Sequence, residues 1–300
     1  MSLGQRTLAK RVSVTGVGLH TGQPATVSLG PGAPDSGFVF VRADLPGQPE
    51  ISARAEQVCD TAFATTLGAG EARVGTVEHV LAALAGMGLH NARIEVVGPE
   101  VPILDGSAAG FCALIRTAGI CEQARPRRVL VVRHAVELRE GDKLARLLPA
   151  ERFAIRCSIE FPDPAIGFQV LAIEPTPELF ERELAPARTF GFLREVQQLQ
   201  AQGLGRGGSL ENAVVLDAGR VLNPGGLRFP DELVRHKVLD ALGDLAVLGL
   251  PLRGRLELHK SGHALHHRLL QALVSQPAAF SVEPARDAPD WQPHAAAGAA

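Results

Sequence analysis

The chain repeats one short pattern, and this repeat limits the available folds more than any other feature. Residues 80–86 match residues 238–244, and two further matches follow in the same order in both copies. These later pairs are 92–97 with 254–259 and 105–109 with 261–265. Each copy reads as a helix, an alternating strand, a glycine turn and a second helix.

This repeat predicts an α+β fold with two similar domains that arose by internal duplication. Each domain is expected to be a small sheet with two helices. Because a helix or a strand must cover its apolar face with another element, we expect the two domains to pack as a layered sandwich. The functional site is expected at the seam between them.

The predicted domain boundaries follow from the duplication. Residues 1–121 form the first α+β domain, and residues 129–280 form the second, which carries an insert near 190–216. The polar, proline-containing run 122–128 is the predicted linker. Residues 281–300 are rich in alanine and proline and are predicted to be a flexible tail.

The composition argues against several classes of protein. A net charge of -2 argues against a nucleic-acid-binding protein, which carries a basic patch or a high pI. No apolar run approaches the roughly 20 residues of a membrane span, and the N-terminus lacks the apolar region of a signal peptide. The four cysteines show no C-x-x-C spacing, so we expect reduced side chains rather than disulfides or zinc ligands. The expected protein is cytoplasmic and monomeric, with no nucleic-acid partner and no membrane span.

The late part of the chain is rich in histidine, since five of the ten histidines lie between His236 and His267. If residues 231–248 form a helix, His236 and Asp240 share one face, one turn apart. Asp244 lies one turn further along the same face, where a carboxylate could orient an imidazole. The alternative is a solvated helix with scattered charges.

An early segment, residues 77–85, is predicted to be an amphipathic helix. Glu78 and His79 fall outside its apolar stripe. Taken with the late helix, His79 would be the third ligand beside His236 and Asp240, and Glu78 would be a carboxylate placed to act as a general base. Taken alone, a Glu-His pair on a polar face is usually solvated. The pairing of the two segments therefore predicts a metal-dependent hydrolase.

One motif in the insert is misleading. Residues 203–208 satisfy G-x-G-x-x-G, but a dinucleotide site requires a preceding strand and a following helix. Here residues 193–200 read as helical and residues 213–216 as extended. A turn is the favoured interpretation.

The motifs together resemble one known family, UDP-3-O-acyl-N-acetylglucosamine deacetylase, the zinc enzyme of the committed step in bacterial lipid A synthesis. The resemblance covers roughly residues 4–275. The matching motifs are residues 16–22, 76–79, 102–107, 187–192, 234–237 and 260–263.

The resemblance implies a role for each residue of the predicted site. His79, His236 and Asp240 would bind Zn²⁺, although iron would also suit these ligands. Glu78 would deprotonate water for attack on the acetamide. The remaining implied roles are oxyanion stabilisation by the Thr189 hydroxyl and proton donation to the departing amine by His263, held by Asp244.

Substrate contacts are also implied by the resemblance. Lys237 and Lys260 would meet the hydroxyls and the diphosphate of the UDP-sugar, Phe161 would stack on uracil and Phe190 would line the sugar site. The alternative for each phenylalanine is packing in the core. A second group would wall an acyl-chain passage or belong to the ordinary core: Leu19, Leu193, Val196 and Leu199. His20 is assigned a substrate role only through its motif.

Several alternatives stay open on the sequence. Glu78 alone could shuttle both protons, with His263 acting only electrostatically. The chain could be a zinc amidohydrolase for another N-acyl substrate, or a non-catalytic binding protein on the same fold. His266 and His267 are predicted to lie on an exposed helix face.

Overall fold

The computed structural model describes residues 4–285 and shows two halves of similar architecture. The first half contains β1 (Gly4–Leu8), β2 (Val12–Val17), β3 (Pro24–Pro31), β4 (Phe38–Arg42), β5 (Glu50–Ser52), β6 (Val58–Asp60), β7 (Thr66–Ala69), β8 (Ala72–Val74), α1 (Glu78–Gly86), β9 (Ala92–Val97), α2 (Ala109–Ala118) and β10 (Ile120–Pro126). The second half contains β11 (Arg128–Val132), β12 (Val136–Glu140), β13 (Lys143–Leu148), β14 (Ala154–Glu160), β15 (Phe168–Ile173), α3 (Pro177–Leu179), β16 (Phe190–Phe192), α4 (Leu193–Ala201), β17 (Val214–Asp217), β18 (Arg220–Val221), α5 (Glu232–Leu245), β19 (Leu252–Arg253), β20 (Arg255–His259), α6 (His263–Val274) and β21 (Phe280–Pro284).

Both halves contain a five-stranded sheet of the same topology. The strand order is β2-β3-β9-β4-β5 in the first and β12-β13-β20-β14-β15 in the second. The central strand, β9 or β20, is antiparallel to one neighbour and parallel to the other in both sheets. The predicted duplication and its order of helix, strand and helix are therefore confirmed.

The backbone conformation before the second helix of each repeat supports the same correspondence. Leu104 and Lys260 immediately precede the matched segments 105–109 and 261–265, and their φ angles are 55° and 49°. Left-handed φ is uncommon for residues other than glycine. Its occurrence at equivalent positions indicates that both copies make the same tight turn.

The helices form the layers between the sheets. Helix α2 packs on β2 and β3, α6 packs on β12 and β13, and α1 lies along α5. The contact between α1 and α5 depends on Gly243, because a Cβ there would lie 2.7 Å from the carbonyl carbon of Glu78. This close approach brings the start of α1 against α5 at the predicted seam.

The ends of the predicted domains contain more regular structure than the sequence indicated. The predicted linker, residues 122–128, is mostly extended, since β10 runs to Pro126 and β11 begins at Arg128. The predicted tail begins within β21, which pairs with β11. Residues 286–300 lie outside the described residues. The assignment of domain boundaries stays a prediction.

The predicted insert forms a strand-helix-strand unit in which β16 and β17 are parallel and α4 lies between them in sequence. The glycine-rich run 203–208 is an irregular segment after α4 and before β17, as the turn interpretation predicts. Within residues 4–285, no helix combines the length and apolar character needed to cross a membrane. All four cysteines are free, and Cys112 and Cys157 are buried.

Candidate active site

Three potential metal ligands converge where α1 meets α5. His79 is the second residue of α1, while His236 and Asp240 lie one turn apart on α5, and all three are buried. The Nε2 atoms of His79 and His236 lie 3.5 and 3.3 Å from Oδ1 of Asp240. Ligand atoms of the three side chains all lie within 4.8 Å of one another.

The protonation states of these ligands favour the binding of a cation. Nδ1 of His236 lies 3.0 Å from the carbonyl oxygen of Ala187, to which it can donate, leaving the Nε2 lone pair for a metal. Burial lowers the pKa of His236 to about 4, so its imidazole is neutral near pH 7. Burial acts to raise the pKa of Asp240, but His236 and Lys237 hold it well below its usual range. A neutral imidazole nitrogen facing an ionised carboxylate is an arrangement that a cation stabilises, and two histidines with one carboxylate are a common set of ligands in catalytic zinc sites.

Glu78 lies beside these ligands and is also buried. The sequence placed Glu78 and His79 outside the apolar stripe of α1, and the structure shows that this side of the helix is covered rather than solvated. Oε2 of Glu78 accepts a hydrogen bond from the backbone N–H of Thr65 at 3.0 Å. Burial raises the pKa of Glu78, against the opposing effect of His263 and His79.

His263, the first residue of α6, completes the group. Its Nε2 lies 4.0 Å from Oε1 of Glu78 and 4.0 Å from Oδ2 of Asp240, and its Nδ1 lies 2.8 Å from Oδ2 of Asp244. Burial lowers the pKa of His263, but the charge of Asp244 and the hydrogen bond to it outweigh burial and raise the pKa to about 10. His263 is therefore an imidazolium near pH 7.

Asp244 has more partners than the sequence predicted. Besides His263, it accepts a hydrogen bond from the Thr65 hydroxyl at 2.6 Å, and His266 Nδ1 lies 2.7 Å from its Oδ2. The prediction that His266 is exposed is wrong, because α6 turns this residue inward against α5 and leaves it 2% exposed. His267 is partly buried rather than exposed. The spacing of three residues between His263 and His266 on one helix was the available signal.

Glu100, which was not predicted from the sequence, is a buried carboxylate that holds the loop carrying His20. Glu100 accepts hydrogen bonds from the backbone N–H groups of His20 and Thr21 and from the hydroxyls of Thr21 and Thr76. Thr76 has a φ of 55° and lies just before α1. This network ties the His20 loop to the turn that presents Glu78. Burial lowers the pKa of His20, against the opposing effect of Glu100, and His263 lowers it further.

Several predicted substrate residues lie together beside the ligands. Lys237 Nζ is 2.8 Å from Oδ2 of Asp240 and 5.5 Å from the centre of the Phe190 ring. The Phe190 ring lies 5.9 Å from that of Phe161 and 6.4 Å from that of His236. Thr189 is half-buried and directly precedes Phe190. Lys237, Phe190 and Phe161 thus lie on one side of the ligands.

Lys260 is less available than the sequence suggested. Its Nζ lies 2.7 Å from carboxylate oxygens of both Asp142 and Glu160. Because an ammonium has three N–H donors, one donor remains for a substrate phosphate, although the two carboxylates already compensate its charge. Leu19 lies against the glycine-rich turn of the insert, where Gly207 N–H donates to its carbonyl oxygen at 3.0 Å.

The apolar residues of α4 form a half-buried stripe, while most of the intervening polar side chains are exposed. This stripe consists of Leu193, Val196 and Leu199. Its partial exposure fits the wall of an apolar passage as well as it fits packing against the insert's own strands.

The fold and this set of side chains define a candidate metal-dependent hydrolase. The chain belongs to the UDP-3-O-acyl N-acetylglycosamine deacetylase (LpxC) family, whose model matches residues 5–275. It is 53% identical over 285 residues to the UDP-3-O-acyl-N-acetylglucosamine deacetylase of Myxococcus xanthus, covering 95% of this chain and 91% of the relative. It is 54% identical over 278 residues to the Anaeromyxobacter sp. (strain Fw109-5) protein of that name, covering 93% and 91% of the two chains. It is 48% identical over 274 residues to that of Thioalkalivibrio sulfidiphilus, covering 91% and 90%.

Proposed function

We propose that this protein hydrolyses the acetamide of UDP-3-O-acyl-N-acetylglucosamine to the free 2-amine and acetate, a step of lipid A biosynthesis, with zinc as its metal. The observation that carries the proposal is the convergence of His79, His236 and Asp240 beside Glu78 and His263. Membership of the deacetylase family supports the same reaction. Cytoplasmic location and a monomeric state stay predictions.

His79, His236 and Asp240 would hold the zinc ion. When bound there, zinc would supply Lewis-acid polarisation of the amide carbonyl and lower the pKa of a water molecule to about 7. Two of these ligands have a further hydrogen-bonding partner in the protein. The Ala187 carbonyl oxygen orients the His236 ring, and Lys237 pairs with the second oxygen of Asp240.

Glu78 is placed to act as the general base. Thr65 N–H fixes one carboxylate oxygen, and the other faces His263 across 4.0 Å. In this position Glu78 takes a proton from the attacking water while the C–O bond forms. The Thr189 hydroxyl is proposed to donate a hydrogen bond to the developing oxyanion.

His263 is placed to act as the general acid. Its Nδ1–H is held by Asp244, so its Nε2–H is the proton that can be transferred. An amine leaves an amide poorly unless it is protonated, so His263 gives this proton to the sugar nitrogen as the C–N bond breaks. A carboxylate base and an imidazolium acid would thereby divide the proton transfers.

Substrate contacts follow from the side chains around the ligands. Phe161 and Phe190 would face the uracil and the sugar, and Lys237 would meet a substrate oxygen. Lys260 would meet the diphosphate with the N–H donor that Asp142 and Glu160 leave free. Leu19, with the apolar stripe of α4, would line the acyl chain, and His20 would approach the substrate from the loop held by Glu100.

The test is acetate release from UDP-3-O-acyl-N-acetylglucosamine by the purified protein, before and after chelation and with zinc added back. We expect turnover that chelation abolishes and zinc restores. His79→Ala should lose zinc and activity together, whereas His134→Ala, which changes an exposed histidine, should keep both. Zinc binding without acetate release would contradict this substrate and favour a zinc amidohydrolase for another N-acyl compound. Turnover unaffected by complete metal removal would contradict the proposed cofactor.

A further inference from the structure

His266 lies one turn after His263 on α6 and is almost completely buried. Its Nδ1 lies 2.7 Å from Oδ2 of Asp244, and its Nε2 lies 2.9 Å from Oγ of Ser261. Both ring nitrogens therefore have a hydrogen-bonding partner. Because both nitrogens are paired, the imidazole of His266 is held in one defined orientation.

The acceptor shared by the two histidines determines where their protons lie. An ionised carboxylate only accepts hydrogen bonds, so Nδ1 of both His263 and His266 must carry a hydrogen. The Ser261 hydroxyl can then hydrogen-bond to Nε2 of His266 while the Nδ1–H of this ring is directed at Asp244. The Thr65 hydroxyl occupies the other oxygen, Oδ1, of the same carboxylate.

Three donors, the Thr65 hydroxyl and two imidazoles of α6, thus hold one carboxylate. Without His266, Asp244 would keep Thr65 on one oxygen and His263 on the other, and its carboxylate plane could follow the movements of His263. With His266 bound to Oδ2, the position of that oxygen is fixed independently of His263. Oδ2 of Asp244, which accepts the hydrogen bond from His263, is therefore also held by His266.

We propose that His266 is a positioning residue for the deacetylation, acting through Asp244 to fix the direction in which His263 presents its Nε2–H. The inference rests on the proposed function, in which His263 protonates the departing amine. The sequence Ser261-Gly-His263 brings the serine that orients His266 and the acid itself into one turn. The residues Ser261, His266, Asp244 and His263 then form one hydrogen-bonded chain that ends at the reacting atoms.

The decisive comparison uses two substitutions of His266, to Asn and to Gln, whose side-chain amides place the N–H donor at different positions. The side-chain NH₂ of His266→Asn can take the place of Nδ1 and still donate to Asp244. His266→Gln has a longer side chain whose amide lies nearer to the position of Nε2. We expect His266→Asn to keep most of kcat and His266→Gln to lose roughly 10- to 100-fold, as is typical when an outer partner of a site imidazole is removed. KM should change little in both, because His266 touches no proposed substrate contact.

A matched control and a double variant separate positioning from packing. His267→Asn changes the next residue of the same helix, has no hydrogen bond to Asp244 and should leave kcat unchanged. Ser261→Ala keeps the His266 ring but removes its orienting hydroxyl, and we expect a loss of kcat in the same direction as for His266→Gln. In an Asp244→Asn background, His266→Gln should add little further loss, because residues that act through one partner are not additive.

Each result bears on the inference. Equal kcat for His266→Asn and His266→Gln, with zinc content and folding retained, would overturn it. So would a full additional loss in the Asp244→Asn background. If His263→Ala instead keeps wild-type kcat in the same assay, the proposed acid is wrong, and this failure is distinguishable because it appears without any change at His266.

Discussion

Gly243→Ala provides a sharp test of the seam, because two effects of the substitution oppose one another. In an isolated helix, alanine is favoured over glycine by about 1 kcal/mol. In this protein the added Cβ would lie 2.7 Å from the carbonyl carbon of Glu78 and 2.9 Å from its Cα, where ordinary contacts begin at 3.4 Å. The carbonyl oxygen of Glu78 would lie closer still, so helix α1 must move away from α5 by more than the roughly 0.7 Å that the carbonyl carbon alone requires.

We expect the steric effect to prevail. Overpacking a closely packed interior costs about 1–3 kcal/mol, so the net loss of unfolding free energy should reach up to about 2 kcal/mol after the gain in helix propensity. The effect on catalysis should be larger, because the displaced segment carries Glu78 and His79. A misplacement of about 1 Å can reduce catalysis by roughly 100-fold.

The assay measures urea unfolding, zinc content and kcat for Gly243→Ala beside Gly225→Ala. A Cβ added at Gly225 would meet no atom within 4 Å beyond its chain neighbours, so this position should tolerate alanine in all three measurements. We expect Gly243→Ala to lose stability and activity, with weaker zinc retention. A variant that is as stable as the wild type and equally active would refute the argument that the close contact of α1 and α5 assembles the site.

Further predictions concern single side chains. Glu78→Ala and His263→Ala should each lower kcat by at least about tenfold, within the range contributed by acid-base groups, while keeping the metal; zinc release by Glu78→Ala would contradict its assignment as a base rather than a ligand. His79→Ala should lose zinc, as metal analysis after dialysis can show. Burial, together with neighbouring arginines, lowers the pKa of His90 to about 4, so its neutral form stabilises the fold above pH 6.5 and this contribution is lost as the pH falls towards 4. Between pH 6.5 and 5, the wild type should lose about 2 kcal/mol more than His90→Asn in urea unfolding, and parallel pH profiles would count against this. Glu100→Gln should lower unfolding free energy by about 2 kcal/mol, because an amide cannot accept all the hydrogen bonds that the carboxylate accepts, and an unchanged urea midpoint would argue against that role.

Local sequence patterns predicted the helices of the site well. Apolar periodicity placed α1 close to its observed bounds. The helix assumed for residues 231–248 largely coincides with α5, and the i, i+4 relation of His236 and Asp240 then followed from helix geometry. The duplication could also be read from sequence, because the matched segments retain the small and apolar residues that pack the helices. These features depend mainly on neighbours that are close in the chain.

Local patterns could not predict which elements cover the polar face of a helix. Glu78 was expected on a polar face, but that face meets α5, more than 150 residues later in the chain. His266 was expected in solvent for the same reason. Glu100 gave no local signal, since all its donors come from other segments. Side chains whose partners are remote in sequence are therefore the ones that sequence reasoning misplaced or missed.

The divergence of the two repeats follows from the physical demands of their seam. Asp240 of the second copy aligns with Ala82 of the first, and both are buried. A second carboxylate at position 82 would place another buried negative charge in the helix that carries Glu78, and a buried charge is tolerated only when it is paired. One copy therefore supplies two ligands on α5, while the other supplies one ligand, the base and small residues that let the helices approach. The two copies therefore carry different residues at equivalent positions, and this difference lets a duplicated fold hold several ionisable groups in one buried site.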